Sequence, residues 1–175
     1  MNKSKNTAFC GMVSALSVVL MLVTTVLPVM MYVLPIVTGI LIMLTAEVTN
    51  KKWAIGTFFS TAIISLLMLT EKETALTYLF FFGWYPLARE HLSKIPKAIQ
   101  FIIKLVIFNF SAVAIGVVGV YVFGVSKEDY TEFGKYTIPI LLAMANVVFV
   151  LYEMMLKKYS FMLKGLGKRI SKKLK

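Results

Sequence analysis

The residues that most often carry catalysis are scarce and poorly spaced in this chain. The only histidine, His91, stands beside Arg89 and Glu90 without HExxH or any comparable metal-ligand spacing around it. The only aspartate is Asp129, so a pair of aspartates within a membrane cannot form. No GxxxxGK[ST] loop is present, so we do not expect the chain to hydrolyse ATP by itself. We therefore predict a protein that is not an enzyme and needs neither a metal ion nor a cofactor.

Two asparagines within long apolar runs offer a different kind of chemistry. Asn109 and Asn146 each lie about ten residues into such a run, where lipid disfavours a polar side chain that has no partner. One interpretation is an amide hydrogen bond between two neighbouring helices. The other places one or both amides at the floor of a ligand cavity. The sequence leaves both interpretations open.

Hydroxyl groups and aromatic rings concentrate near the ends of several apolar runs, in the predicted outer half of the protein. Thr74 and Tyr78 are one helical turn apart and directly follow Glu73, while Tyr32 lies within the proline-bracketed segment 28–35. A belt of aromatic residues at the membrane interface is one explanation for the tyrosines. The alternative is a ligand pocket that opens outward and is lined by Tyr32, Glu73, Thr74 and Tyr78.

The amino-acid composition indicates the solvent environment of these residues. Hydrophobic residues make up 59% of the 175 residues and charged residues only 15%, whereas soluble domains average about 45–50% and about 25%. We therefore predict an integral membrane protein. Its net charge of +11 is explained by basic loops facing the cytoplasm, so a nucleic-acid partner is not expected.

Apolar runs of about 20 residues, the length that crosses a bilayer core of about 30 Å, define the expected helices. They predict an all-α bundle of six transmembrane helices, at residues 7–27, 36–49, 53–70, 74–88, 99–124 and 136–156. The second helix starts either at Ile36, directly after Pro35, or at Met30 with a kink at Pro35. We favour Ile36, because proline fits the start of a helix better than its interior.

The distribution of charge gives this bundle an orientation. With six spans, 16 of the 19 basic residues fall on the side that holds both termini, and the exceptions are Lys72, Lys127 and Lys135. This count includes Lys104, whose long side chain can snorkel from the fifth helix to that side. Both termini are therefore expected in the cytoplasm. We predict a multi-pass protein of a bacterial cell membrane.

Two acidic residues near the cytoplasmic ends of helices have basic residues in reach. Glu47 stands four residues before Lys51, and Glu153 stands four residues before Lys157. Oppositely charged residues at this spacing meet on the surface of a helix. We therefore expect both acids to have structural roles.

The last part of the chain differs in composition from the rest. Residues 1–156 form the predicted transmembrane domain, and residues 157–175 hold eight basic residues and no acidic one. Apolar residues recur there at helical spacing, so we expect an amphipathic extension of the sixth helix on the anionic inner leaflet. Gly165 and Gly167 weaken the expectation of a continuous helix there.

The first helix carries a stripe of small residues. Ala8, Gly11 and Ala15 recur at three- and four-residue spacing, and Gly11-x-x-x-Ala15 is a small-xxx-small motif that allows close approach of another helix. Packing within the bundle is the usual use of such a motif. Because this stripe lies in the cytoplasmic half, another subunit could also use it.

The layout of six helices with cytoplasmic termini, together with Gly11-Met12-Val13-Ser14-Ala15, resembles the substrate-binding S components of energy-coupling factor (ECF) transporters. That family usually has alanine at both ends of its motif, so Gly11 is a departure. The resemblance implies capture of a vitamin or other small micronutrient from outside. It also implies three partner subunits: a transmembrane T subunit, contacted through the first helix, and two cytoplasmic ATPases.

Two other classes of protein compete with this interpretation. A structural membrane protein of a cell-envelope or morphogenesis complex, similar in size to MreD, would need no ligand and would use its polar residues only to join helices. An autonomous small transporter normally shows internal repeats with helices broken at matching positions. No such repeat relates the two halves of this sequence.

Overall fold

The computed structural model describes residues 3–92, 96–124 and 136–174, with the side chains of Glu90, His91, Lys173 and Leu174 excepted. Asp129 therefore lies outside the described residues. Helices account for 92% of the structure, which contains no strand among the residues described. The predicted all-α class is confirmed.

The described residues form seven α-helices. They are α1 (Lys3–Leu22), α2 (Val33–Val48), α3 (Lys51–Met68), α4 (Lys72–Thr77), α5 (Tyr85–Leu92), α6 (Lys97–Phe123) and α7 (Thr137–Leu174). Two 3₁₀ turns, Val23–Thr25 and Pro28–Met30, lead from α1 to α2. A π-helical turn, Tyr78–Phe82, leads from α4 towards α5, and these three elements together occupy the place of the predicted fourth helix.

The start of α2 differs from both sequence-based alternatives. The helix begins at Val33, so Pro35 lies within its first turn and is buried there. The backbone N–H groups of a first helical turn have no partner within the helix, so a proline costs no hydrogen bond at this position. Our prediction that the helix starts at Ile36 is therefore wrong by one turn.

Local signals explain both ends of α3. The Asn50 side chain accepts a hydrogen bond from the Trp53 backbone N–H at 3.2 Å, as an N-cap does. At the other end, Lys72 Nζ donates to the carbonyl oxygens of Leu66 and Leu69 at 2.9 and 2.7 Å. A lysine placed there satisfies carbonyls that have no partner in the last turn.

Among the described residues, three helices are long and apolar enough to cross a membrane: Lys3–Thr25, Lys97–Phe123 and Thr137–Lys172. The helix Val33–Val48 is also apolar but shorter. Large apolar side chains such as Leu67 and Phe110 are exposed by 78% and 76%. Exposed apolar surface of this kind is compatible with a protein whose surroundings are lipid.

Two apolar clusters hold the bundle together. The first lies between α1, α2, α3, α4 and the π turn and is built around Met21, Ile42, Phe58, Ala62 and Tyr78. The second joins α2, the π turn, α6 and α7, and consists largely of stacked and edge-on aromatic rings: Phe81, Phe82, Tyr85, Phe108, Phe149 and Tyr152. Ring contacts of this type contribute about 0.5–1.5 kcal/mol each beyond the area that they bury.

The C-terminal extension is part of α7, which continues through both glycines to Leu174. Gly167 is buried against the end of α2, where a Cβ atom on this glycine would lie 2.6 Å from Glu47 Cβ. A residue without a side chain lets the two helices approach this closely. The extension is therefore docked onto the bundle along one of its faces.

Candidate functional site

Four of the predicted ligand-binding residues lie in the segment before α2, in α4 and at the start of the π turn. Tyr32 is about half exposed, and burial of the rest of its ring, followed by the nearby Glu73 carboxylate, raises the pKa of its hydroxyl. Thr74 is fully buried and its Oγ1 donates to Thr24 Oγ1 at 3.4 Å. Thr24 in turn donates to the Met21 carbonyl at 2.7 Å. We call Tyr32, Glu73, Thr74 and Thr24 the outer polar cluster.

Below this cluster, buried hydroxyl groups continue along the contact between α1 and α3. Ser14 Oγ and Thr61 Oγ1 are hydrogen-bonded at 2.9 Å. Tyr78 Oη lies beside Thr61 without the geometry of a hydrogen bond. Its hydroxyl, and those of Ser17 and Ser65 one turn along the two helices, are fully buried and have no partner among the described residues.

Unpaired buried hydroxyls are unfavourable, because each costs about 1–3 kcal/mol of desolvation that no hydrogen bond returns. Ordered water or a bound polar molecule commonly satisfies such groups. A polar partner such as a buried water molecule within hydrogen-bond distance of the hydroxyls of Tyr78, Ser17 and Ser65 would therefore stabilise this part of the interior.

The structure places the other two predicted ligand residues apart from this region and pairs them with each other. Asn109 Nδ2 donates to Asn146 Oδ1, and Asn146 Nδ2 donates to Asn109 Oδ1, both at 3.0 Å. Each Nδ2 also donates to the carbonyl one turn earlier in its own helix, on Leu105 at 2.8 Å and Leu142 at 2.7 Å. Both N–H donors of each amide are thus engaged, which favours the interhelical interpretation.

This pair supplies a quantitative prediction. In a double-mutant cycle of Asn109→Leu and Asn146→Leu, we expect a coupling energy of about 0.6 kcal/mol, the average for hydrogen bonds between membrane helices. Reversible unfolding in mixed micelles measures it. The amount of any small molecule that co-purifies should stay the same in all three variants. Loss of that molecule with no coupling between the sites would show that the amides bind ligand instead.

A charged network near the middle of α7 was not predicted from the sequence. Glu153 accepts hydrogen bonds from Tyr85 Oη at 2.8 Å and Arg89 Nε at 2.9 Å, and it forms an ion pair with Lys104. The lysine side chain is only 4% exposed. Our predictions that Lys104 snorkels to the surface and that Glu153 pairs with Lys157 are therefore wrong.

The antiparallel register of α6 and α7 brings this network about, because the spacing that pairs Asn109 with Asn146 also sets Lys104 opposite Glu153. An ammonium group buried this deeply is strongly disfavoured without an anionic partner. The network therefore fixes α5, α6 and α7 to one another near their predicted cytoplasmic ends.

The small-residue stripe of α1 points away from the bundle. Ala8, Gly11 and Ala15 are exposed, and no atom lies within 4 Å of the position that a Cβ on Gly11 would take. The packed face of α1 consists instead of Asn6, Cys10, Val13, Ser14, Ser17, Val18 and Met21. Packing among the described parts of the chain thus leaves the whole stripe unused.

Among the residues that the structure describes, no group of three or more His, Cys, Asp or Glu side chains could hold a metal ion. No protein-family model, curated protein or solved structure matches this chain.

Proposed function

We propose that this chain is the substrate-binding subunit of an ECF-type transporter. It would span the cell membrane six times with both termini in the cytoplasm and capture a vitamin or other small micronutrient from outside. A transmembrane T subunit and two cytoplasmic ATPases would supply the energy, since the sequence has no ATP-binding loop of its own.

The observation that carries this proposal is the outward orientation of the stripe Ala8, Gly11 and Ala15. A transmembrane helix that presents small residues to its surroundings allows the backbone of another helix to approach closely. The opposite face of α1 is fully engaged with the bundle, so the stripe is available to a second subunit. The T subunit is the partner that the resemblance implies for this surface.

The outer polar cluster and the unpaired hydroxyls below it support a role in ligand binding. Glu73 lies near Tyr32 at the expected outer end. One turn below Thr74, Tyr78 Oη is buried and has no hydrogen-bond partner in the part of the chain that the structure describes. A carboxylate at the entrance favours a neutral or cationic molecule over an anionic one. We therefore propose Tyr32, Glu73, Thr74 and Tyr78 as ligand contacts.

Variants that separate docking from ligand binding test this proposal. Gly11→Leu with Ala15→Leu should abolish co-purification of the T subunit and the ATPases, because the larger side chains prevent close helix approach. The same variant should retain the bound small molecule. Tyr78→Phe with Thr74→Val should give the opposite pair of results.

Gly56→Leu is the matched control, because Gly56 is an exposed glycine of α3 that also has no atom within 4 Å of a built Cβ. It should change neither result. If the Gly11 and Ala15 substitutions leave every partner bound, the docking assignment is wrong.

The second candidate is a structural membrane protein of a cell-envelope or morphogenesis complex, and the Asn109–Asn146 pair favours it. Two amides that bond to each other and to their own helices contribute to helix association and leave no donor for a ligand. In that case Tyr78→Phe would change no bound molecule, since the protein would carry none.

A further inference from the structure

The last third of α7 has a defined position against the bundle. The helix has 38 residues and is about 57 Å long, whereas a bilayer core is about 30 Å thick. Leu156 is fully buried and Leu163 packs against the aromatic cluster. Gly167 lies against Glu47 at the end of α2. These three residues follow one face of the helix, so that face is attached to the bundle.

The extension stays in contact with the bundle well beyond the charged network. Glu153 binds Tyr85 and Arg89 of α5, and Gly167 lies against Glu47 of α2. About 21 Å of helix separates Glu153 from Gly167. Glu47 borders a cavity of about 240 Å³ together with part of α5, so the extension is held close to α2 and α5.

The face opposite the attachment is basic and contains one prominent aromatic ring. Lys157, Lys158, Lys168 and Arg169 are exposed there, and Phe161 is exposed by 83%. From Lys157 to the end, the sequence has no acidic residue that would neutralise these charges. Basic residues around an exposed ring are typical of helices that lie in the headgroup region of a membrane.

We propose that this face of the extension, residues 157–172, binds the anionic phospholipids of the cytoplasmic leaflet. The basic side chains would contact lipid phosphates, and Phe161 would enter the boundary between headgroups and acyl chains. The binding requires the extension to lie on the cytoplasmic side, but it requires neither the nutrient nor the partner subunits. It would hold α7, and through Gly167 and Glu47 also α2, at a fixed depth in the membrane.

Fluorescence of the full chain in lipid nanodiscs tests this proposal. Cys10 is the only cysteine, so Phe161→Cys in a Cys10→Ala background places one environment-sensitive fluorophore on the extension. We compare discs of phosphatidylcholine with discs in which about one third of the lipid is phosphatidylglycerol, and we measure quenching by headgroup-labelled lipid. Quenching should be about twofold or more stronger in the anionic discs, and added salt should reduce the difference.

Paired charge variants make the result specific. Lys157→Gln with Lys158→Gln removes the two charges that flank Phe161 one turn away, and it should reduce the difference between the discs by roughly half or more. Lys3→Gln with Lys52→Gln removes two exposed charges at other helix starts and should leave the difference unchanged. Equal quenching in both discs, no quenching in either, or equal effects of the two pairs would each overturn the proposal.

Discussion

Replacing Glu153 by alanine should destabilise the protein by about 3–5 kcal/mol, the usual cost of removing one partner from a buried ion pair. The carboxylate is the anionic partner of Lys104, which is 4% exposed, and it also accepts hydrogen bonds from Tyr85 and Arg89. Without it, a buried ammonium group has no compensating charge. Reversible unfolding in mixed micelles gives the free energy of unfolding for each variant.

A second substitution shows whether charge is the cause. Glu153→Leu combined with Lys104→Met and Arg89→Met removes all three charges of the network and fills a similar volume, and such replacements of buried ion pairs or triads are often neutral. We expect this triple variant to recover most of the stability that Glu153→Ala loses. If the single variant loses less than about 1 kcal/mol, or if the triple variant is no more stable than it, the network is not what fixes α7 to α6.

Replacing Gly39 by alanine should also have a large effect, because α2 contacts the π turn at this residue. A Cβ atom on Gly39 would lie 2.2 Å from the Phe82 carbonyl oxygen. That oxygen belongs to backbone and cannot move aside as the end of a flexible side chain can. We expect a loss of about 1–3 kcal/mol, as for overpacking in a dense core, measured by the same unfolding experiment.

The Phe82 carbonyl can contact Gly39 because of the residue four positions after Phe82. In a regular helix the Phe82 carbonyl would accept a hydrogen bond from residue 86, but that residue is Pro86 and has no N–H. The carbonyl is therefore free to face Gly39. Gly56→Ala is the matched control, since a Cβ there meets no atom within 4 Å. Equal stability of the Gly39 and Gly56 variants would contradict the contact.

The apolar runs of the sequence predicted the positions of most helices, because a helix needs about 20 apolar residues to cross a bilayer. Few other stretches of this sequence are apolar over that length. α6 and the first part of α7 follow this rule closely. The π turn at Tyr78–Phe82 could not be predicted in this way. The turn packs against Gly39, which is distant in the sequence, and hydropathy does not contain such contacts.

The ion pair between Lys104 and Glu153 was not predicted from the sequence. Glu153 was assigned to Lys157 because helical neighbours at this spacing are the simplest partners. Pairing Asn109 with Asn146 across antiparallel helices would have brought Lys104 near Glu153, since the same register applies to both pairs. The buried hydroxyls of Ser17 and Ser65 could not be predicted from the sequence in this way. They result from the packing of α1 on α3, and they have no hydrogen-bond partner among the described residues.

The central claim is that this chain binds a nutrient and works with an energy-supplying complex. Its most direct test is affinity purification of the tagged, gently solubilised protein from its native host, with mass spectrometry of the proteins and the small molecules together. We predict recovery of a T subunit, two ATPases and a bound metabolite. Recovery of cell-wall machinery, with no ATPase and no small molecule, would contradict the transporter assignment and support the structural alternative.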